Sequence, residues 1–181
     1  MLNKATILGR FPTMKQLAPV FALTFLLCNA WTMYHFFWKL PGWLYYLTVR
    51  EILSILAYSF SVNLLESVLI VIGLLGLAAI LPHRWFRDVF VPVSAAFVPL
   101  MFGYMVFFLN QFFFAEVYPS IHAKTFPFVI VGIFFLASWL GRNTFARKVL
   151  EAFADRTLVL LYIFLPLGTV SLTAVLIQNL F

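Results

Sequence analysis

The sequence predicts an all-α, polytopic integral membrane protein with about five transmembrane helices, and three observations predict it. Hydrophobic residues make up 64% of the chain and charged residues only 10%. Several stretches close to the length of a bilayer crossing carry no charge, and the basic residues collect in alternate connections. A soluble domain is about 45–50% apolar and about 25% charged, and at this size it buries only about 70% of its surface. The 23 Phe cannot be hidden in one water-soluble core. Composition therefore excludes a soluble globular domain, a disordered tail and a disulfide scaffold.

The first span covers about 17–38, with Lys4, Arg10 and Lys15 ahead of it. Its apolar run is too long for a cleaved signal and is followed by no small-residue cleavage site, so a retained helix is expected. The second runs over about 62–82, up to Pro82-His83-Arg84. The third covers about 90–110 and contains Pro92 and Pro99, which remove backbone donors and favour kinks. The fourth, about 126–140, is short for a crossing. The fifth covers about 157–179, with Pro166 inside it. All five are expected to form one transmembrane domain over 1–181.

Two further segments read as amphipathic. In the stretch about 43–60, Thr48, Glu51, Ser54, Tyr58 and Ser61 recur at helical spacing, while Trp43, Tyr45 and Tyr46 suit headgroup depth. It is expected to lie at the extracytoplasmic interface or to re-enter the membrane. At about 143–155, Phe145, Val149 and Phe153 step by four on one face, and Arg147, Lys148, Glu151 and Asp155 take the others. That pattern predicts a short cytoplasmic surface helix, with Arg147 and Glu151 one turn apart for pairing.

The basic residues choose between five spans and six. With five and an inside N-terminus, Lys4, Arg10, Lys15, Arg84, Arg87, Arg142, Arg147, Lys148 and Arg156 face the cytoplasm, which is nine of the 12. Lys39, Arg50 and Lys124 fall outside. Counting 43–61 as a span leaves only Lys4, Arg10, Lys15 and Lys124 inside. The positive-inside bias selects five spans in the plasma or inner membrane, N-terminus cytoplasmic and C-terminus extracytoplasmic. The net charge of +6 is accounted for by those loops, so a nucleic-acid partner is not expected.

Polar groups at membrane depth are costly, which makes them the best functional pointers. The candidate outer-face cluster is Arg50, Glu51, Asn63, Glu66 and His35, with Glu116 and His122 as secondary candidates. Glu66 suits either a salt bridge with Arg50 or a ligand or proton role. His35, between Tyr34 and Trp38, also reads as an aromatic-belt residue, and Asn29 as interhelical glue. Glu116 and His122 lack a third ligand fixed by spacing, so neither a metal nor a cofactor is expected. The single Cys28 cannot form an intramolecular disulfide.

The chain carries no Walker loop, H-E-x-x-H or G-x-S-x-G motif. No span contains GxxxG, though Gly73 and Gly76 form a small-residue face. The leading expectation is a non-catalytic membrane subunit or accessory protein of a cell-envelope assembly, partnered by lipids and by another membrane protein or further copies of itself. An alternative is an enzyme or binder of lipid-linked envelope precursors at the outer leaflet. Five spans, an outer interfacial helix and an outward C-terminus are similar in outline to the membrane portion of phosphoethanolamine and lipoteichoic-acid transferases. That likeness is of topology and assigns no residue a role. A small transporter or channel component comes third, because the inner halves of the spans are almost purely apolar.

Overall fold

The structure is a computed structural model that describes residues 12–81, 86–115 and 120–180, without the side chains of 87, 112–115 and 120–123. Five long helices carry it: α1 (Met14–Trp43), α2 (Val49–Ile80), α3 (Phe90–Ala115), α4 (Ser120–Arg142) and α5 (Thr144–Leu180). A single 3-10 turn, Arg87–Val89, leads into α3. All five helices are long and apolar enough to cross a membrane. In lipid every backbone N–H and C=O must be satisfied within the chain, and helices do this segment by segment.

Local signals set the helix starts. The Gln16 side chain accepts from the Thr13 backbone N–H at 2.9 Å ahead of α1. At α2, the Glu51 carboxylate takes the Thr48 N–H at 2.7 Å and the Thr48 hydroxyl at 2.8 Å, completing a capping box. Asn143 Oδ1 accepts from the Phe145 N–H at 3.1 Å, so one residue both ends α4 and caps α5. Pro19, Pro99, Pro127 and Pro166 lie inside helices. Serine and threonine fold back onto the preceding turn, as Ser67 does to the Asn63 carbonyl at 2.6 Å.

Both amphipathic segments belong to longer helices. The stretch expected over 43–60 supplies the start of α2, which runs unbroken through the second span. Its Thr48 box starts a helix, and no glycine or proline interrupts it before Gly73. The stretch over 143–155 is likewise the start of α5. At 1.5 Å per residue, α2 and α5 are about 48 and 55 Å long, against a hydrocarbon thickness of about 30 Å. Their charged first turns therefore project beyond the apolar slab. Arg147 and Glu151 pair there at 2.9 Å, half-exposed and worth only about 0.3–0.5 kcal/mol.

Packing is uneven along the bundle. A dense core gathers where α1 begins: Val20, Leu74, Ala78, Phe86, Phe90, Val93, Ala96 and Ala137 are buried together. Leu23, Ala95 and Ala154 form a neighbouring cluster. α4 approaches α3 so closely there that a Cβ on Gly141 would lie 2.6 Å from Val93 Cγ2 and 3.0 Å from the Val93 backbone nitrogen. α5 lies along both α1 and α2. At Gly168 a Cβ would meet Phe25 Cζ at 3.0 Å and Leu64 Cβ at 3.6 Å. Small residues at contact points let membrane helices approach without a hydrophobic driving force.

Candidate functional site

The buried polar centre lies between α1 and α2. Asn63 Nδ2 donates to Asn29 Oδ1 at 3.1 Å, and the Thr32 hydroxyl donates to Asn63 Oδ1 at 2.9 Å. Asn29 Nδ2 in turn donates to the Phe25 carbonyl at 2.7 Å. Asn29, Asn63 and Ser67 are all buried. Each amide oxygen accepts one bond and each amide nitrogen donates one. An amide pair bonded in this way fixes register between helices.

The network also fixes depth. Asn63 bonds to Asn29 and Thr32, and α1 and α2 run in opposite directions across the turn at 44–47. Three residues further along α2, Glu66 therefore lies about level with Cys28. Cys28 is near the middle of the uncharged run between Lys15 and Lys39. Both lysines are roughly 16–20 Å away along the axis, at or beyond the half-thickness of a hydrocarbon core. Glu66 thus sits at mid-depth in the apolar slab, deeper than the outer end of a span beginning at 62.

Its side chain is exposed on the outer surface of the bundle. The neighbours there are apolar: Val62, Leu65 and Leu69 are 48%, 52% and 65% exposed. Glu66 makes no hydrogen bond or ion pair with any described residue. Arg50 lies about 24 Å back along the same helix, beyond reach of a salt bridge.

The sequence-predicted residues are accordingly dispersed. Asn63 is in the polar centre, Glu66 on the outward face, Glu51 in the helix cap, and Arg50 exposed in the first turn of α2. His35 lies among aromatic rings, edge-on to Trp31 at 4.2 Å, to Tyr34 at 5.2 Å and to Trp38 at 6.3 Å. Glu116 lies outside the described residues; His122 falls in the first turns of α4, and its side chain is likewise outside them. Among the described residues no three His, Cys, Asp or Glu side chains gather as a metal site.

Sequence reasoning did not single out Thr32 or Ser67. The available signal was spacing: Thr32 follows Asn29 by three and Ser67 follows Asn63 by four, which puts each pair on one face. It also missed a cavity of about 660 Å³ between α1, α2, α3 and α4. Leu27, Phe97, Met101, Phe102 and Met105 line it, with Thr24, Cys28 and Tyr104 as polar members. The Tyr104 hydroxyl is buried with no hydrogen-bond partner among the described residues, and its ring stacks on Phe126. The volume is in the range of small-molecule sites.

Comparison with known protein families, with curated proteins and with solved structures finds no match for the chain.

Proposed function

We propose that this chain is a non-catalytic membrane subunit or accessory protein of a cell-envelope assembly. The observation that carries the reading is Glu66, a carboxylate at mid-depth on the outward surface with no hydrogen-bond or ion-pair partner among the described residues. A charged group at that depth costs at least about 2.5–3.5 kcal/mol in lipid and marks a functional position by default. A neighbouring membrane protein removes that cost. The charge pattern supports an N-terminus in the cytoplasm and a C-terminus outside, in a plasma or inner membrane. The test is the composition of the particle extracted in mild detergent. A fixed membrane-protein partner at constant stoichiometry is expected; a solitary, monodisperse chain with an activity of its own contradicts the reading.

A second reading, a binder of lipid-linked precursors, draws support from the cavity. Its methionine- and phenylalanine-rich wall suits a flexible hydrocarbon chain, and the Tyr104 hydroxyl offers one hydrogen bond to a polar group. Lipids retained after delipidation, identified by mass spectrometry, separate the two readings. A single lipid class whose retention drops on Tyr104→Phe and on Met101→Trp supports the binder; a mixture matching the bulk membrane counts against it.

A further inference from the structure

The outward face of α2 is patterned. Val62, Glu66, Leu69, Gly73, Gly76 and Ile80 alternate in steps of four and three, and all six are exposed. This is the spacing with which one helix meets another at a shallow left-handed crossing. At Gly73 and Gly76 a Cβ would meet nothing within 4 Å, so a neighbouring backbone could approach closely there. Among the described residues this row is left exposed, whereas the opposite row, with Asn63, Ser67, Val71, Leu74 and Ala78, is buried.

We propose that this face docks one transmembrane helix of a partner protein, and that a Lys or Arg on that helix at mid-bilayer pairs with Glu66. The inference deepens the subunit reading above and rests on it.

Charge complementarity identifies the occupant. Lipid tails offer the carboxylate no hydrogen-bond donor, whereas a cation at the same depth removes the cost of holding it there. A second copy of this chain cannot supply it. No Lys or Arg occurs in residues 16–38, 51–83, 88–123, 125–141 or 157–181, so every span is free of cations at mid-depth. Two copies meeting along α2 would instead bring two Glu66 carboxylates together, which is repulsive. A lipid headgroup stays at the surface, about 15 Å away. The remaining occupant is a helix that carries its own positive charge into the membrane, with the two glycines seating its backbone beside α2.

The test uses the purified full chain, acceptor-labelled and reconstituted in phosphatidylcholine vesicles, with two donor-labelled synthetic transmembrane peptides. Both are Leu/Ala helices, identical except for a central Lys or a central Leu. The proposal expects saturable energy transfer with the Lys peptide, at an affinity about tenfold or more above the Leu peptide. Glu66→Gln should abolish that preference. Gly73→Leu, which keeps the carboxylate, should weaken binding of the Lys peptide as well. Equal binding of both peptides, or a preference that survives Glu66→Gln, overturns the proposal. So does energy transfer between copies of the chain that Gly73→Leu removes, since the face would then serve self-association. The subunit reading fails separately: if the partner complex extracted from native membranes persists on Glu66→Gln, only this docking mode is lost, and if no partner is found, both are.

Discussion

Asn63 and Glu66 are separated by less than one turn of α2, yet they occupy opposite physical situations. Asn63 faces α1, is buried, and has both ends of its amide bonded. Glu66 faces outward at almost the same depth and has no partner among the described residues. The first residue explains how the bundle holds its register, while the second has no use in the isolated fold. In lipid, an apolar outer surface is ordinary and says little. A charge on that surface is the informative departure.

The largest expected effect tests the packed side. Gly141→Ala should cost about 3 kcal/mol, at the upper end for overpacking, because the Val93 backbone cannot rotate away as a side chain could. Thermal unfolding in detergent, followed by far-UV circular dichroism, checks it; an unchanged midpoint would mean that α3 and α4 do not approach this closely. Asn63→Leu should follow at about 1–2 kcal/mol, since it leaves the buried Asn29 Oδ1 and the half-buried Thr32 hydroxyl without their Asn63 partner. A double-mutant cycle between Asn29 and Asn63 should return about 0.6 kcal/mol, as is usual for hydrogen bonds between membrane helices. A coupling of zero would break the contrast between the two faces.

On the outward side the signs differ. Glu66→Leu should stabilise the solitary chain in bilayers by about 1 kcal/mol or more, because it removes a carboxylate from lipid. Loss of stability would reveal an internal partner for Glu66. Gly73→Ala should be the smallest change, within about 0.5 kcal/mol in the isolated chain or slightly favourable, since the site is open and alanine is the better helix former. Set beside Gly141→Ala, it compares a glycine that packing requires with one that packing leaves free.

The sequence carried the five spans because lipid demands a predominantly apolar run of nearly fixed length, and that requirement is local. It also carried the Arg147–Glu151 pair, whose one-turn spacing is sufficient. The segments at 43–60 and 143–155 are polar on one face, which read as separate surface helices. Polarity there reflects helices longer than the membrane is thick, and nothing in a periodic pattern marks where a continuous helix leaves the slab. Asn63 and Glu66 looked like neighbours in one cluster. Three residues turn a helix by about 300°, so adjacent polar positions can also lie on different sides of a helix edge. Which of the two faces inward depends on α1, and that is tertiary information. The cavity beside Tyr104 likewise arises only where four helices fail to close.

The central claim is that position 66 lies at mid-bilayer and faces out of the bundle while position 63 does not. Nitroxide labels at Glu66→Cys and Asn63→Cys, each in a Cys28→Ser background in vesicles, test it through collision rates with oxygen and with a water-soluble nickel chelate. The account predicts high oxygen and negligible nickel accessibility at position 66, and low accessibility to both at position 63. Strong nickel accessibility at position 66, or equal oxygen accessibility at the two positions, would contradict it.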